Sequence, residues 1–389
     1  MSDHAPILKI ERAALMQALN AAIGAVSSKS TIPVLTHFLL DAEGDSLVVT
    51  GTNLDTQTTV VAPAQVTTPG RITVPAKALH EIVRRTREGA EISIEVDPIK
   101  LRTVVAAGRS RFTLPSYAAE DFPKFTDNGS TDIGEFSQSF EIAGSILSNM
   151  IGKCWFAIST EETRYYLNGI YCHALEVDGV PTLRFVATDG KKLARIDTAR
   201  ASGLTLNDPG VIFPRKTVEL IKKAADEAGE AMVTIEHSQR VMRATVGSVA
   251  IISKLIEGTF PDYVRVIPTS FAREAVAPTV GLIESVLRVS PLAAEDNARN
   301  RGVKLEFEEG QLKISAHDVD GSDARDELDI DLEGEPLTIG FAARFLSDTL
   351  AQVGSDTVRI KLGTDATQPA VIGDKLAEAL FVLMPYRVT

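Results

Sequence analysis

Cysteine is scarce in this sequence, which has two among 389 residues. Neither Cys154 nor Cys172 lies in a C-x-x-C pair or beside histidines at the spacing of metal ligands. A disulfide framework and a structural zinc site therefore have no support. Because disulfides are rare where thiols stay reduced, we expect a cytoplasmic protein.

Long apolar runs are also missing. No segment approaches the roughly 20 apolar residues that a membrane-spanning helix needs. The first ten residues, Met1–Ile10, do not combine a basic stretch with an apolar one, as a secretory signal would. We therefore expect a soluble chain that is neither exported nor bound to a membrane.

Positive charge is in deficit. The chain has 40 lysines and arginines against 52 acidic residues, and its formal net charge is -12 at pH 7. Proteins that wrap nucleic acid over their whole surface cluster lysine and arginine on it, so this balance argues against that class. A local basic stripe on particular helices remains compatible with it.

Familiar catalytic patterns are absent. The sequence has no G-x-S-x-G, G-x-x-x-x-G-K-[ST], G-x-G-x-x-G or H-E-x-x-H, and its six histidines are scattered. Asp318–Asp323 resembles a calcium loop, but its glycine falls at position four and position twelve is not glutamate. We predict no catalytic residues, metal or cofactor, with an enzyme of unknown chemistry as the rival hypothesis.

What the sequence does contain is a repeat. Apolar residues at helical spacing predict a helix over Glu11–Val26, followed by strands at His37–Leu40 and Ser46–Thr50. After Arg71–Pro75, a second helix is predicted over Ala76–Arg85, and alternating residues then indicate further strands. The same order returns twice along the chain.

In the second segment, we predict a helix over Phe140–Met150, a strand ending in Phe185–Gly190 and another helix after Val211–Pro214. In the third, Leu312–His317 and Leu337–Phe341 take the equivalent places. One unit of roughly 130 residues therefore occurs three times, which is a domain-scale repeat.

The repeat predicts three domains of α+β class, at residues 1–131, 132–270 and 271–389. Their boundaries fall in Asp127–Asp132 and Pro268–Arg273, and both follow strand ends marked by proline, as linkers tend to. A triplicated scaffold without a specific task would have the same pattern. The repeats alone therefore do not name a function.

The second helix of each repeat is more informative. In repeat one, the apolar residues share one side of the helix and the basic residues share the other. Equivalent helices thus carry positive charge, as a surface that meets phosphates without reading bases would need. A merely solvated basic face is the alternative, and repeat three has only Arg344 there. The residues are Leu79, Ile82 and Val83 against Lys77, His80, Arg84 and Arg87 in repeat one, and Leu220, Ile221 and Ala224 against Arg215, Lys222 and Lys223 in repeat two.

Several spaced motifs resemble one protein family in their order and spacing. Each motif alone is weak, but together they span essentially the whole chain and are highly specific. They resemble the bacterial beta sliding clamp family, the beta subunit of DNA polymerase III. The motifs are Thr31–Leu35, Gly108–Phe112, Arg164–Gly169, Val186–Gly190, Phe260–Tyr263 and Leu383–Arg387.

The resemblance implies a DNA clamp fold, in which a head-to-tail homodimer forms a six-domain ring with sheets outside and helices lining a channel. It implies a non-catalytic processivity factor that encircles duplex DNA and tethers the polymerase. The first repeat of one chain would meet the third of the other. The implied interface residues are Lys77, Arg109, Arg111, Phe112 and Leu114 on one side, and Leu292, Asp323, Asp326 and Glu327 on the other.

The resemblance and the basic helix faces together predict sequence-independent contact with double-stranded DNA. Lysine and arginine take phosphates, and tyrosine can lie against sugar or base. Where the family often has a neutral amide this chain has Glu161, which would repel phosphate, and core packing is an equal alternative for Tyr166. The predicted DNA-binding residues are Lys29, Lys77, Arg84, Tyr165, Tyr166, Arg215, Lys222 and Lys223.

By resemblance, a groove between repeats two and three accepts short linear peptides. Proline, methionine and aliphatic residues make an adaptable apolar slot, and arginines can hold polar groups. Lys191, Ala342 and Phe345 depart from residues common in the family, which leaves the peptide preference open. The predicted pocket residues are Arg164, Leu167, Thr188, Gly190, Lys191, Lys192, Leu193, Pro261, Arg265, Val266, Phe345, Val382, Met384, Pro385, Tyr386 and Arg387.

The implied partners are a second copy of the chain, the alpha subunit of DNA polymerase III, the delta subunit of the clamp loader, and other proteins with the clamp-binding motif. The last group comprises translesion polymerases, repair factors and initiation-control factors. The alternative is a DNA-independent peptide-binding scaffold, which would need the pocket but no basic helix faces. In either case Leu380–Val388 can be an edge or core strand.

Overall fold

The structure, a computed structural model, describes residues 7–97, 99–123, 125, 136–206, 209–293, 301–318, 320–373 and 378–387. The chain divides into two compact units. Unit 1 comprises Met1–Ser148, Ala201–Thr205 and Lys216–Leu255, and unit 2 comprises Asn149–Arg200, Leu206–Arg215 and Ile256–Thr389. The predicted boundary at 127–132 lies outside the described residues.

The strands occur in runs that reflect the repeat. The first run is β1 (Ile7–Glu11), β2 (His37–Glu43), β3 (Ser46–Thr52), β4 (Thr56–Pro63), β5 (Gln65–Thr68), β6 (Gly70–Pro75), β7 (Glu91–Asp97), β8 (Arg102–Ala107) and β9 (Ser110–Pro115). The second is β10 (Gln138–Ala143), β11 (Gly169–Val177), β12 (Val180–Thr188), β13 (Lys192–Thr198), β14 (Val211–Pro214), β15 (Met232–His237), β16 (Val241–Val246) and β17 (Val249–Lys254). The third is β18 (Arg273–Pro278), β19 (Gly302–Glu308), β20 (Gln311–His317), β21 (Asp323–Asp329), β22 (Asp331–Glu333), β23 (Leu337–Ala342), β24 (Thr357–Leu362), β25 (Ala370–Gly373) and β26 (Ala379–Leu383).

Six α-helices lie within the described ranges, two for each repeat, and each begins directly after a strand. Proline ends three of those strands, at Pro75, Pro214 and Pro278, where it limits further strand pairing because it has no N–H. The helices are α1 (Arg12–Ala22), α2 (Ala76–Arg85), α3 (Gly144–Trp155), α4 (Arg215–Ala228), α5 (Thr279–Val289) and α6 (Ala343–Leu350).

One helix prediction is wrong over its first part. The segment Gln138–Ala143 is strand β10, and helix α3 begins only at Gly144. Phe140 and Ile142 are buried while the residues between and before them are exposed, which is the two-residue period of a strand. The sequence-based helix over Phe140–Met150 therefore joined the end of a strand to the start of a helix.

Each unit contains two antiparallel sheets. In unit 1 the strand orders are β5-β1-β7-β8-β9 and β10-β15-β16-β17-β4-β3-β2-β6. In unit 2 they are β14-β11-β12-β13-β26-β25-β24-β18-β22 and β21-β20-β19-β23. Strands β9 and β21 therefore each lie at the end of a sheet.

Main-chain ladders join successive repeats within these sheets. In unit 1, β17 of the second repeat pairs with β4 of the first, with Ile251 opposite Thr58. In unit 2, β13 of the second repeat pairs with β26 of the third, with Leu193 opposite Val382. Because these residues are far apart in sequence, local patterns could not reveal the pairings.

The predicted core faces of the helices are confirmed. On α2, Leu79 and Val83 are fully buried and Ile82 is half-buried. On α4, Leu220 and Ile221 are buried, as is Ala224 one turn later. The basic residues of both helices consequently lie on the opposite, more exposed side.

Candidate functional sites

The loop after α1 and the first turn of α2 bring two predicted DNA-binding lysines together in unit 1. Lys29 is exposed in this loop, and Lys77 donates from Nζ to the Ser28 carbonyl oxygen at 3.3 Å. Among the described residues, neither lysine forms an ion pair with a carboxylate. Both therefore offer their full positive charge to a ligand.

The other predicted DNA-binding residue of α2, Arg84, has its positive charge compensated by a carboxylate. Arg84 Nη2 lies 2.8 Å from Glu81 Oε2, and Arg85 Nε lies 3.3 Å from the same oxygen. The hydrogen bond from Arg84 is the main cause that lowers the pKa of Glu81, so this carboxylate stays charged at neutral pH. A phosphate near Arg84 would also meet this anion.

The two lysines of α4 differ in the same respect. Lys222 Nζ bonds Asp226 Oδ2 at 2.8 Å, and Asp226 also accepts from Ser148. Lys223 is exposed and donates to the Asn20 carbonyl oxygen of α1 at 2.6 Å. Lys222 is thus neutralised by its own helix, whereas Lys223 keeps its charge and joins α4 to α1 within unit 1.

Arg215, at the start of α4, belongs to unit 2 and has structural contacts there. The central carbon of its guanidinium lies 4.3 Å from the centre of the Trp155 ring, and Nη1 donates to the Ile158 carbonyl oxygen at 3.5 Å. A cation over an aromatic face is held by the ring's quadrupole. A phosphate would have to compete with these contacts for Arg215.

The two predicted DNA-binding tyrosines differ in how far they are buried. The Tyr165 side chain is 55% exposed, whereas Tyr166 packs against the buried cluster that contains Leu167. Their rings meet edge to face with centroids 5.8 Å apart. The core-packing alternative therefore describes Tyr166, and Tyr165 is the tyrosine that a ligand can reach.

The apolar part of the predicted peptide pocket is assembled within unit 2. Leu167, Leu193 and Val382 belong to one buried cluster, which also contains Phe260 and Tyr263. The pairing of β13 with β26 sets Leu193 opposite Val382. Residues from distant parts of the sequence thus form one buried apolar cluster.

The residues after β26 continue the strand that contributes Val382 to this cluster. The Met384 N–H donates to the Lys191 carbonyl oxygen at 2.9 Å, and its side chain is 40% exposed. Further on, the Tyr386 N–H donates to the Gly340 carbonyl oxygen at 2.8 Å, while Pro385 is half-buried and Arg387 exposed. The C-terminal run is therefore both a core strand and a bordering segment.

Lys192 is held by internal contacts. Its Nζ lies 2.5 Å from Asp189 Oδ2 and 4.4 Å from the centre of the Phe345 ring. Its carbonyl oxygen accepts from the Thr188 hydroxyl at 2.8 Å, which closes the turn between β12 and β13. Lys191, beside it, is exposed, so this lysine rather than Lys192 is open to a ligand.

Arg164 lies against the same turn. Its Nε and Nη2 bond the two carboxylate oxygens of Glu161 at 2.8 and 2.6 Å. Gly190, with φ of +86°, lies below the guanidinium, and a Cβ there would be 2.8 Å from Arg164 Nη1. The predicted repulsion from Glu161 is therefore compensated by a residue of the predicted pocket.

The remaining pocket residues lie on the short 3-10 helix Tyr263–Val266 and just before it. Pro261 and Val266 are exposed, and Arg265 pairs with Asp262 at 2.8 Å. Tyr263 is buried, and its hydroxyl accepts from Arg184 Nη1 at 3.2 Å. This buried tyrosine fixes the segment that presents the exposed residues.

Sequence reasoning missed the network that holds Tyr263. Arg184 donates twice to Asp197, both bonds being 2.7 Å, and His173 Nε2 lies 3.0 Å from the Tyr263 hydroxyl. Burial lowers the pKa of His173 to about 4, so the imidazole is neutral at pH 7. Only the strand register, which aligns His173, Arg184 and Asp197 across β11, β12 and β13, reveals this row.

Strand β9 is an exposed edge with an apolar groove beside it. Phe112 is 38% exposed and helps line a groove of about 470 Å³ together with Ile82 and Arg85 from the end of α2. Arg111 lies 3.7 Å from Glu95, and Arg109 is exposed in the preceding turn. Lys77 lies at the other end of α2, beside Ser28, and does not line this groove.

Strand β21 is the corresponding edge in unit 2, and it is acidic. Asp323 and Glu327 are exposed, and Asp326 is held by Arg288 of α5 at 2.7 Å. Leu292, a predicted interface residue, is exposed, and so is Leu287 on α5, which is 54% exposed. Sequence reasoning missed Leu287. Helix α5 is rich in apolar residues, so the sequence does not show which of its leucines is exposed. The stretch that follows α5, Pro291–Asn300, lies partly outside the described residues.

Three family models match nearly the whole chain in succession. The N-terminal domain of the DNA polymerase III beta subunit matches residues 7–126, the central domain matches 141–262 and the C-terminal domain matches 264–387. The chain belongs to the DNA polymerase III beta subunit family. The predicted clamp fold of three tandem α+β domains is thereby confirmed.

Curated relatives of the beta subunit family agree over full length. The beta sliding clamp of Caulobacter vibrioides is 39% identical over 381 residues, which covers 98% of this chain and 100% of the relative. That of Escherichia coli is 33% identical over 381 residues, with 97% and 99% covered. The function of this chain is accordingly that of a sliding clamp, a processivity factor of bacterial DNA replication.

Solved structures of the beta subunit family superpose closely on this chain. The beta sliding clamp of Caulobacter crescentus matches with a TM-score of 0.92 at 38% identity, with both chains fully covered. The sliding clamp of Bartonella birtlesii, bound to griselimycin, matches with a TM-score of 0.92 at 39% identity, covering 99% of this chain and 100% of that one. Among the helices described here, none is long and apolar enough to cross a bilayer.

Proposed function

We propose that this beta subunit acts as a head-to-tail homodimer, a ring of six domains whose helices face a central channel. The ring encircles duplex DNA without reading its sequence and slides along it. Support comes from basic residues on equivalent helices and from two open sheet edges of unlike chemistry. A closed ring cannot leave the duplex sideways, so weak contact with the backbone is enough to keep it bound.

The ring closes by pairing β9 of one protomer with β21 of its partner. Such pairing would satisfy the open N–H and carbonyl groups of both edges, which are otherwise prone to nonspecific pairing. Phe112 with its groove and the exposed Leu287 supply apolar contact. Arg111 and Glu327 are opposite charges that set the register, although exposed ion pairs each contribute little to affinity.

DNA contact is carried mainly by the residues that keep their charge or stay exposed. These are Lys29, Lys77 and Lys223, with Tyr165 lying against the sugar-phosphate chain. The predicted residues Arg84, Lys222 and Arg215 contribute less, because each already has an internal partner. Few phosphate contacts suit a ring that must slide.

The pocket of unit 2 holds short peptide segments of DNA polymerase III and of other clamp-binding proteins. Its buried leucines and valine form an apolar cluster near the exposed Met384. Val266 is also exposed, and it follows Tyr263, a member of the same cluster. The partners are the polymerase alpha subunit, the clamp loader delta subunit, and translesion, repair and initiation-control proteins. Tethering keeps the polymerase at high local concentration near the primer end.

The chain itself catalyses no step, and the polymerase supplies the chemistry. The sequence has no phosphate-binding loop of the G-x-x-x-x-G-K-[ST] type, so an ATP-driven loader has to open the ring. The protein acts in the cytoplasm, where its two cysteines stay reduced. Cys154 is fully buried, and burial raises the pKa of its thiol.

Loading on circular DNA tests the ring. The chain should load onto nicked circular plasmid with its loader, remain through gel filtration, and be lost when the plasmid is cut once. Light scattering should give twice the 41.8 kDa chain mass. A monomer at micromolar concentration, or equal retention on cut plasmid, would contradict the ring and favour a DNA-independent scaffold.

The pocket is tested with a matched pair of methionines. Met384→Ala should reduce polymerase stimulation strongly while the dimer remains, because it removes a bordering apolar side chain. Met232→Ala is the control, since Met232 is also exposed, at 49%, but lies on β15 of unit 1. Equal stimulation by both variants would contradict the pocket assignment.

A further inference from the structure

Three cations at the proposed pocket share a structural feature. Each has a carboxylate three residues earlier in the chain that forms an ion pair with it. The distances are 2.6 Å for Glu161 and Arg164, 2.5 Å for Asp189 and Lys192, and 2.8 Å for Asp262 and Arg265. The positive charge that the sequence suggests at this pocket is therefore largely compensated inside the chain.

Glu161 is the most consequential of the three carboxylates for a bound ligand. It takes two of the donor atoms of Arg164, Nε and Nη2, and leaves Nη1 facing Gly190. Half of the Glu161 side chain is exposed, so a ligand that reaches Arg164 also meets this anion. By contrast, Asp189 is mostly buried and also accepts the N–H groups of Lys191 and Lys192.

The position of Arg164 ties this ion pair to the pocket. The guanidinium lies over Gly190, and the next residue, Lys191, accepts the N–H of Met384. Three consecutive contacts thus lead from Glu161 through Arg164 to the turn that borders Met384. A peptide that lies beside Met384 is therefore close to this turn, where the charges of Glu161 and Arg164 can affect its binding.

We propose that Glu161 makes the pocket select against acidic peptides, by holding Arg164 so that an incoming carboxylate must share its guanidinium with a second anion. The inference rests on the peptide pocket proposed above. Two carboxylates near one guanidinium repel each other, whereas a neutral amide or backbone carbonyl can accept from Arg164 without that cost. Glu161 is a specificity-determining residue that acts through Arg164.

The test uses acetylated and amidated pentapeptides made of leucine, phenylalanine and glutamine, in which each glutamine in turn is replaced by glutamate. Their affinities for the full-length chain are measured by fluorescence anisotropy at low salt. For the wild-type chain, glutamate should weaken binding at one position. In Glu161→Gln, the glutamate penalty at that position should shrink by about two- to five-fold, the range of an exposed ion pair.

Two controls separate this role from a general charge effect. Glu162→Gln removes the same charge one residue away, where the described residues form no ion pair, and it should leave the penalty unchanged. In an Arg164→Ala background, Glu161→Gln should no longer improve the glutamate peptide relative to its glutamine parent. A purely structural role would instead weaken all peptides alike.

The outcomes distinguish the two proposals. If the parent peptides bind with an affinity that Met384→Ala reduces, but the penalty is the same in Glu161→Gln and Glu162→Gln, the inference is overturned and the pocket stands. If the penalty shrinks equally in the Arg164→Ala background, Glu161 does not act through Arg164 and the inference also fails. If no peptide binds the wild-type chain, the proposed pocket falls and the inference with it.

Discussion

The two exposed sheet edges of this chain, β9 in unit 1 and β21 in unit 2, have opposite chemistry. Strand β9 has an arginine and a partly exposed phenylalanine, with a second arginine in the turn before it. Strand β21 has Asp323, Asp326, Glu327 and Asp329 against one arginine. A symmetric pairing of β21 with its own copy would bring acid against acid. The difference therefore favours a head-to-tail joint over an isologous one.

The neighbours of the two edges differ as well. Behind β21, α5 holds Asp326 through Arg288 and exposes Leu287. Beside β9 there is an open groove lined by Phe112 and the end of α2. One edge thus presents an apolar projection and the other an apolar recess. In the proposed dimer, the apolar contact and the charge contact between these edges can each be altered separately.

Phe112→Asp should have the largest effect. It removes apolar area and places a charge where the groove would be buried, so the dimer should dissociate at least about 100-fold more readily. Sedimentation velocity measures the monomer fraction. Val61→Asp is the control, since Val61 is also partly exposed in unit 1 but lies on β4. An unchanged dimer in Phe112→Asp would remove β9 from the joint.

Reversing the charge of Arg111 tests the contribution of ion pairs to the dimer separately from that of apolar contact. Arg111→Glu should weaken the dimer by about tenfold, because it sets an anion against acidic β21. Adding Glu327→Arg in the same chain should restore much of the loss, whereas Arg102→Glu on neighbouring β8 should have little effect. If the double variant is weaker than either single variant, the two residues do not face each other across the joint.

Acid should act on Asp326 of the acidic edge, β21. Arginines keep their charge throughout the accessible range, whereas this carboxylate can be protonated. Burial works against the charged form of Asp326, but hydrogen bonds from Arg288 and the Glu327 N–H outweigh it and lower its pKa. Its contribution is present above its unfolded pKa and is lost as pH falls through the lower folded value.

The dimer should therefore weaken only under strongly acidic conditions, below the pH at which an unperturbed aspartate is protonated, because the pKa of Asp326 is lowered. Asp326→Asn should remove the part of this loss that occurs at the lowest pH. The dissociation constant measured by light scattering across pH 7 to 3 provides the check. Weakening that is complete by pH 5 would point to histidine and contradict the assignment to β21.

Salt should have the smallest effect. If apolar contact and main-chain pairing carry closure, raising NaCl from 0.1 to 1 M should weaken the dimer by only about two- to five-fold. Arg111→Gln should reduce that dependence further. A hundredfold loss in high salt would mean that charge, not shape, dominates the joint.

Much of the fold follows from local pattern. Helix α2 was predicted with the bounds that the structure has, because Pro75 precedes a clear amphipathic stretch. The start of α3 was predicted wrongly, because the spacing of Phe140 and Ile142 fits a strand and a helix equally well over so short a span. Their assignment to β10 depends on pairing with β15, in which Phe140 lies opposite Ile235, 95 residues later in the chain.

The candidate sites, like the fold, were predicted where local motifs suffice and missed where distant contacts decide. Motifs pointed to Arg164, Gly190, Lys191 and Met384, and the structure brings these four into consecutive contact. Motifs did not reveal that Arg164 is held by Glu161. Nor could they show which tyrosine of the pair is exposed, because a short 3-10 helix with a kink at Arg164 has no periodicity that the sequence reveals.

The sequence by itself determined the threefold repeat, the buried side of each basic helix and the charge of each strand, since these depend on neighbours a few residues apart. Only the tertiary structure decided that β9 and β21 each keep one edge unpaired within the chain. It also decided that Arg84 and Lys222 form ion pairs with carboxylates while Lys29, Lys77 and Lys223 form none among the described residues. Edges and ion pairs depend on strand register and side-chain distance. Those are set by packing between segments that lie far apart in sequence.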